Sequence, residues 1–136
     1  MAADASAAPA LSPVATDKAP AAIGPYSQAM CAGDTVYVSG CIGMVPGDSK
    51  AFAGDGVAEQ AAQALANMAA ILDAAGSSMQ HVAKTTVLLT DMEHYAEVNK
   101  VYAEAFGEHK PARAAFAVKG LPAGALVEID AVAVKK

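Results

Sequence analysis

The stretch Val127-Glu128-Ile129-Asp130-Ala131-Val132, near the end of the chain, decides the fold. Its apolar and acidic residues alternate, which is the pattern of a β-strand with one covered face and one open face. The odd-numbered residues would lie on the covered face, while Glu128 and Asp130 share the open one. The sequence therefore predicts a sheet that is packed against other elements on one side only.

A second run of strand type, residues 113–118, precedes this stretch. The segment Gly120-Leu121-Pro122-Ala123-Gly124 separates it from a final strand predicted over residues 125–134. Glycine and proline at this density are typical of a turn, so the two strands are predicted to form a hairpin.

Arg113, the only arginine of the chain, lies at the start of that run among small and apolar residues. A guanidinium is always charged, and removing it from water is costly unless an anion meets it. Two interpretations stay open at this point. One is a structural ion pair with Glu128 or Asp130, and the other is a site that binds a small carboxylate.

Two stretches have the periodicity of amphipathic helices. Between residues 55 and 75, apolar residues recur at steps of three and four, and Gly76 can end the helix in a left-handed conformation. A second helix is predicted to begin at the capping box Thr90-Asp91-Met92-Glu93, with Thr90 as the cap, and to end at Gly107. Its packed face would consist of Tyr95, Val98, Tyr102 and Phe106.

The remaining strands complete an α+β fold. Residues 82–89 are β-rich, and residues 25–40 are predicted to form a hairpin that turns at Gly33-Asp34. Residues whose numbers sum to 67 would face each other there, which puts Cys31 opposite Val36 and argues against a disulfide with Cys41. We expect a single mixed sheet, a loop over residues 42–54, and both helices on one face, leaving the other face for a neighbouring subunit.

The start of the chain differs in composition from the rest. Residues 1–18 are mostly Ala, Ser, Pro and Thr and are predicted to be a flexible tail before a domain that spans residues 19–136. The tail lacks the apolar core of a secretion signal and the arginines of a mitochondrial transit peptide, so a cytoplasmic location is expected. No apolar run reaches the ~18 residues of a membrane span, and no membrane partner is predicted.

The composition limits the class of partner. Hydrophobic residues make up 54% of the 136 residues, and the mean hydropathy is +0.31, which indicates that some apolar surface lies in a subunit interface. The net charge of −5 and the scattered lysines provide no basic stripe for nucleic acid. Two cysteines and three histidines lack the spacing of metal ligands, so no metal site is predicted.

Six segments, in this order along the chain, strongly resemble the Rid (YjgF) family. They are Ala22-Ile23-Gly24-Pro25-Tyr26-Ser27-Gln28-Ala29, Val38-Ser39-Gly40, Lys84-Thr85-Thr86-Val87, Val98-Asn99, Pro111-Ala112-Arg113-Ala114-Ala115 and Val127-Glu128-Ile129-Asp130-Ala131. The resemblance covers roughly residues 17 to 135 and is closer to the eukaryotic branch than to the bacterial one. It implies a chorismate-mutase-like fold assembled as a homotrimer, with active-site clefts between subunits.

The resemblance also implies an activity. Members of the family hydrolyse reactive 2-imino acids and their enamine tautomers, such as 2-iminobutanoate and 2-iminopropanoate, to 2-keto acids and ammonia. These substrates are released by pyridoxal-phosphate enzymes, and the deaminase itself is expected to need no cofactor and no metal.

Site residues follow from the same resemblance. Arg113 would hold the substrate carboxylate with help from the backbone amide of Gly40, and the Ala115 carbonyl would accept a hydrogen bond from the imine nitrogen. Glu128 would deprotonate the attacking water and return a proton to nitrogen, a task suited to a carboxylate whose pKa an apolar pocket raises. Three further residues would line the pocket: Tyr26, Ser39 and Asn99.

Some points stay open at the level of sequence. Cys41 stands where many relatives carry glutamine, and its thiol would either fill space or alter substrate preference. Ala115 replaces a cysteine of bacterial relatives, a change that a backbone contact should tolerate. Two other function classes are a single-stranded-RNA ribonuclease or translation inhibitor, against which the acidic charge argues, and a non-enzymatic carboxylate sensor or chaperone-like trimer.

Overall fold

The computed structural model describes residues 10–47 and 49–136, in which six strands form one mixed sheet with two α-helices on one face. The strands are β1 (Leu11–Val14), β2 (Ala29–Ala32), β3 (Thr35–Cys41), β4 (Val82–Leu89), β5 (Ala112–Ala117) and β6 (Val127–Val134), and the helices are α1 (Val57–Ala74) and α2 (Tyr95–Phe106). The strand order is β1-β2-β3-β6-β4-β5, and β4 and β5 are parallel. The predicted α+β class is confirmed.

The alternating stretch is β6, which lies between β3 and β4 near the centre of the sheet. Its odd-numbered residues, Val127 to Ala133, are buried under the helices, while Glu128 and Asp130 are half-buried on the opposite face. Burial of an aliphatic side chain stabilises a fold by roughly 1.5–3 kcal/mol. The period of two therefore fixes which face of β6 points into the core, as the sequence predicted.

Helix α1 covers β3 and β6 and packs against α2. It buries Leu65, Met68 and Leu72, which recur at three- and four-residue steps along one face. The chain leaves the helix through Gly76, whose φ of +79° is a left-handed conformation that favours glycine. The predicted helix over residues 55–75 is confirmed.

The start of α2 differs from the predicted capping box. The carboxylate of Asp91, and not the hydroxyl of Thr90, accepts the hydrogen bond from the Glu93 backbone N–H at 2.8 Å. A short 3-10 turn, Met92–His94, precedes the α-helix proper. An aspartate carboxylate is a strong helix cap, and Thr90 instead donates to the Leu126 carbonyl at 3.5 Å.

The predicted hairpin of the last two strands is wrong. β4 lies between β5 and β6, with Thr85 paired to Arg113 on one side and Leu88 paired to Glu128 on the other. β5 follows β4 through α2, and a parallel pair needs such a long connection. The largely buried β4 gains two hydrogen-bonded neighbours in this arrangement, while the more exposed β5 forms an edge of the sheet.

The predicted flexible tail is also wrong in part. Leu11–Val14 forms the other edge strand and pairs antiparallel with β2, and Val14 and Ala19 are buried. Backbone pairing and these two apolar side chains order a segment whose composition alone suggested a tail. The part of that prediction on residues 1–9 lies outside the described residues.

The hairpin of β2 and β3 follows the predicted register. Ala29 pairs with Val38 and Cys31 with Val36, so both pairs of numbers sum to 67. Cys31 and Cys41 are both free thiols, as that register predicted. In the described part of the chain, neither helix has the length and apolar character needed to cross a membrane.

Candidate active site

A cavity of about 850 Å³ opens where β3 ends and β6 begins. Three irregular segments wall it: the residues before β2, the loop after β3, and the turn between β5 and β6. Four of the residues that sequence reasoning selected line this cavity: Tyr26, Ser39, Gly40 and Glu128. Arg113, Asn99 and Ala115 lie elsewhere, on α2 and β5.

A β-bulge shapes the floor of this cleft. Val38 pairs with Ala131 and Cys41 with Ile129, so two residues of β3, Ser39 and Gly40, face a single residue of β6. Bulges bend a strand locally and turn its side chains in new directions. Ser39 Oγ donates to the Ser27 carbonyl at 2.6 Å, which ties the bulge to the segment before β2.

The bulge brings the backbone of Gly40 against the Glu128 side chain. A Cβ atom at position 40 would lie 2.6 Å from Glu128 Cδ and 3.0 Å from Cγ, and it would also overlap the carboxylate oxygen Oε2. Glycine is therefore the residue that leaves room for the carboxylate in its present position.

Glu128 has an altered acidity in this setting. Partial burial raises the pKa of its carboxyl group above the usual range, and the negative charge of nearby Asp130 raises it further. Asp130 itself accepts a hydrogen bond from the Thr86 backbone N–H at 3.1 Å, which fixes its place beside Glu128. Glu128 can consequently exchange a proton closer to neutral pH than an exposed glutamate can.

Cys41 lines the same cleft as a neutral thiol. Burial, followed by the charges of Glu128 and Asp130, raises its pKa to about 12. Because the thiolate is the nucleophilic form of cysteine, Cys41 is a poor nucleophile at neutral pH. The environment fits the space-filling interpretation of this residue.

Arg113 belongs to a second polar cluster, on the helix-covered side of edge strand β5. Its Nη1 donates to Asn99 Oδ1 at 2.8 Å, and its Nη2 donates to the Tyr95 hydroxyl at 3.0 Å. The guanidinium carbon lies 4.9 Å from the centroid of the Tyr102 ring and 5.6 Å from that of Tyr95. Two hydrogen bonds and two cation–π contacts hold the guanidinium in one orientation.

Sequence reasoning missed the role of Tyr95, which it assigned to the packed face of α2. Tyr95 is partly exposed and hydrogen-bonds Arg113 instead. The spacing of Tyr95, Asn99 and Tyr102 along one side of α2 was the available signal, because residues four and three apart on a helix are neighbours.

Arg113 and Glu128 lie on opposite faces of the sheet. Arg113 pairs with Thr85, which is buried under the helices, whereas Glu128 pairs with Leu88 on the open face. Two strand spacings and three residues of rise separate them, so their Cα atoms are about 14 Å apart. An ion pair of Arg113 with Glu128 or Asp130 within one chain, one of the two interpretations of the sequence, is therefore wrong.

A single chain thus carries two separate candidate half-sites. The cleft half-site consists of Tyr26, Ser39, Gly40 and Glu128. The arginine half-site consists of Tyr95, Asn99, Tyr102 and Arg113. Ala115 lies two residues beyond Arg113 on β5 and faces the same side. Within residues 10–47 and 49–136, no three His, Cys, Asp or Glu side chains are grouped closely enough to hold a metal ion.

Comparison with known proteins identifies the family of this chain. The sequence profile of the family described as Endoribonuclease L-PSP matches residues 16–135. The chain belongs to the Endoribonuclease L-PSP family. Solved relatives in this family include the YjgF gene product of E. coli, with a TM-score of 0.86 and 40% identity, so the resemblance to the Rid (YjgF) family is confirmed.

Several L-PSP family relatives are similar over most of their length. The human 2-iminobutanoate/2-iminopropanoate deaminase is 51% identical over 122 residues, which is 90% of this chain and 88% of the human protein. The crystal structure of a putative endoribonuclease L-PSP from Entamoeba histolytica has a TM-score of 0.89 at 48% identity and covers 92% of this chain and 99% of that one. The crystal structure of E. coli TdcF with bound serine has a TM-score of 0.86 at 38% identity, with coverage of 92% and 99%.

Proposed function

We propose that this protein is a hydrolytic deaminase that converts 2-imino acids such as 2-iminobutanoate and 2-iminopropanoate to 2-keto acids and ammonia. The observation that carries the proposal is a carboxylate of raised pKa at the floor of a cleft, in a chain 51% identical to the human deaminase of these substrates. A fixed guanidinium on β5 supplies the second chemical group that such a substrate needs.

The active unit is proposed to be a homotrimer in which each site forms between two subunits. Because Arg113 and Glu128 lie on opposite faces of one sheet, they can meet a common substrate only when they come from different chains. The open sheet face also exposes Tyr37, Phe116 and Val134, apolar surface that a neighbouring subunit would cover. A contact between the edge strand of one chain and the cleft of the next is heterologous, and such contacts give a closed ring when the rotation between subunits closes, as it would in the proposed trimer.

The reaction needs a fixed electrophile, an aimed water and a proton carrier. Arg113 would bind the substrate carboxylate through two parallel hydrogen bonds, assisted by the Gly40 amide, while the Ala115 carbonyl accepts from the imine N–H. Glu128 would take a proton from water as the oxygen bonds to C2 and would deliver it to the imine nitrogen, forming a neutral carbinolamine. It would then carry the proton of the C2 hydroxyl to the amino nitrogen, so that ammonia leaves as the C2 oxygen becomes a carbonyl. Pocket residues Tyr26, Ser39 and Asn99 would restrict the pose.

The ligand of one relative supports this class of substrate. Serine, bound in E. coli TdcF, carries a carboxylate and an amino group on the same carbon atom, as the carbinolamine of a 2-imino acid also does. A site that holds both groups of serine has the chemistry to hold the carboxylate and the departing nitrogen of the proposed substrate.

The function is tested by adding the protein to a threonine dehydratase reaction, which releases the 2-imino acid. We expect 2-ketobutyrate to appear faster than the spontaneous hydrolysis of the imine allows, because the bound water and Glu128 replace chance encounters in solution. Rates are followed by the loss of NADH absorbance as a coupled dehydrogenase reduces the keto acid. An unchanged rate at rising protein concentration would reject the proposal.

A ribonuclease activity is the second candidate, because the family description itself reads Endoribonuclease L-PSP. The net charge of −5 disfavours it, since single-stranded RNA binding relies on basic surface. Cleavage of RNA that persists through additional chromatography and is lost in Arg113→Lys would support this activity.

Binding of 2-keto acids without imine hydrolysis would instead support a carboxylate sensor. A cytoplasmic location stays a prediction of the sequence.

The close contact of Gly40 with Glu128 gives a second prediction. Gly40→Ala should reduce kcat by roughly 100-fold, because the new methyl group displaces the carboxylate from the attacking water. Steady-state kinetics measure the loss, and a crystal structure of the variant measures the displacement. Gly120→Ala is the matched control, because a Cβ there meets no atom within 4 Å. A Gly40→Ala variant with the wild-type kcat would show that the position of Glu128 is unimportant.

A further inference from the structure

Three buried amide side chains each bind an irregular segment that walls the cleft. Gln28, Gln60 and Asn67 are at most 6% exposed, and their hydrogen bonds go largely to backbone groups of these segments. Backbone outside helices and strands lacks partners of its own, so side chains that supply them determine where such a segment lies.

Gln28 holds the wall that precedes β2. Its Oε1 accepts from the Thr16 N–H at 2.7 Å, and its Nε2 donates to the Pro20 carbonyl at 2.7 Å and to the Thr16 carbonyl at 3.1 Å. The chain runs from there along the cleft through Ile23 to Tyr26. Gln28 consequently fixes the segment that leads to a residue of the cleft half-site.

Asn67 holds the opposite wall, the loop after β3. Its Nδ2 donates to the carbonyls of Met44, at 2.8 Å, and of Ile42, at 3.1 Å. The loop lies directly on α1 at Gly43, where a Cβ would come 2.5 Å from the Cα of Gln60. This wall therefore has little freedom to shift while the amide contacts persist.

Gln60 joins that loop to the third wall. Its Nε2 donates to the Gly54 carbonyl at 3.2 Å, and its Oε1 accepts from the Leu126 N–H at 2.9 Å. Leu126 follows the turn that carries Pro122 and Ala123, both of which line the cleft. Each of the three walls is thus tied to an amide that lies on α1 or immediately precedes β2.

The chemical type of these anchors suits their position. An amide donates and accepts hydrogen bonds without carrying a charge, so it holds a wall without adding a charge to the cleft of Glu128. The walls are mainly apolar where they face the cavity, at Ile23, Met44 and Val45. At about 850 Å³ the cavity has the size of pockets that hold drug-sized molecules, which is more than 2-iminopropanoate fills.

We infer that Gln28, Gln60 and Asn67 are positioning residues, which hold the apolar walls where the substrate's side chain lies and so set the range of 2-imino acids accepted. The inference rests on the proposed deaminase function for its consequence on substrates. The positioning of the walls stands on the hydrogen bonds alone.

The test uses Gln28→Met and Asn67→Leu in the full chain, with Ser77→Ala as the matched control. Ser77 is also buried and donates to the Val134 carbonyl at 2.6 Å, away from the cleft. Amide hydrogen exchange should become at least roughly tenfold faster in residues 16–24 for the first variant and in residues 42–47 for the second. The control should leave both segments unchanged.

Kinetics supply the second readout, with 2-iminopropanoate and with the bulkier 2-imino acid that an amino acid oxidase forms from phenylalanine. KM for the bulky substrate should rise roughly tenfold in both variants, while kcat for 2-iminopropanoate stays within about twofold. Unchanged exchange in the two segments, or equal losses on both substrates, would overturn the inference.

Should Asn67→Leu fail to fold, Asn67→Asp removes the amide donors while keeping the shape, and the hydrogen-exchange prediction alone applies to it, because its charge also acts on Glu128. A wild-type protein that hydrolyses neither substrate overturns the proposed function, and hydrogen exchange alone then supports or overturns the positioning role.

Discussion

Arg113→Ala is expected to lower kcat/KM for 2-iminobutanoate by about 10²- to 10³-fold. The variant loses two charge-assisted hydrogen bonds to the substrate carboxylate, each worth about 1.5–3 kcal/mol, and part of this loss is masked by water that enters the vacated space. The threonine dehydratase assay measures the change. KM should account for most of it, because the carboxylate is bound in both the ground state and the transition state.

Arg113→Lys is the control that separates charge from geometry. It keeps one positive charge but loses the planar fork and the hydrogen bonds to Asn99 and Tyr95. We expect an intermediate loss, about tenfold or more, with a melting temperature close to that of the wild type. An Arg113→Ala variant of full activity would remove the guanidinium from the mechanism altogether.

Glu128→Gln is expected to lower kcat by about 10²- to 10⁴-fold with little change in KM. The amide keeps the size of the side chain but can neither accept the proton of water nor return it to nitrogen. The variant also removes the protein group that titrates in the proposed mechanism, so its residual rate should lack the fall at low pH that Glu128 causes in the wild type.

The direction of the Glu128 pKa shift predicts how kcat of the wild type depends on pH. Only the ionised carboxylate accepts a proton from water, so kcat should fall as pH decreases through the pKa of Glu128. Because burial and Asp130 both raise that pKa, the fall should occur at higher pH than for an ordinary glutamate. In Asp130→Asn the repulsion is absent and the profile should move to lower pH, with kcat near neutral pH largely retained. If Glu128→Gln has the same pH profile of kcat as the wild type, then the group that titrates is not Glu128.

The two variants together test whether the site lies between subunits. In the proposed trimer, neither Arg113→Ala nor Glu128→Gln would have an intact site, but a mixed trimer would pair the intact glutamate of one chain with the intact arginine of its neighbour. Unfolding and refolding the two variants together should restore about one quarter of the wild-type activity by random assortment. A mixture no more active than its components would place both groups in one chain, which the opposite faces of the sheet argue against.

The local sequence pattern predicted the elements that depend on interactions between residues close in sequence. The alternation in β6, the three- and four-residue steps of α1 and the turn at Gly33 each depend on neighbours in sequence, and each was confirmed. The pairing of β5 was not predictable in this way. A strand before a glycine-rich turn can join the next strand or cross over another, and the gain from placing β4 in the centre depends on the whole sheet.

The same distinction between local pattern and tertiary structure applies to the candidate site. The sequence, through its family resemblance, predicted which residues could do the chemistry: one arginine among apolar residues, a glutamate on the open face of a strand, and a glycine beside it. Only the tertiary structure decided how they are grouped, because grouping depends on strand order and on which face each strand turns to the helices. That order put Arg113 under α2 at the sheet edge and Glu128 on the opposite face, over the bulge at Gly40. The sequence shows the periodicity along each strand. The distance between residues on two different strands depends on the strand order, which the packing of the whole core determines.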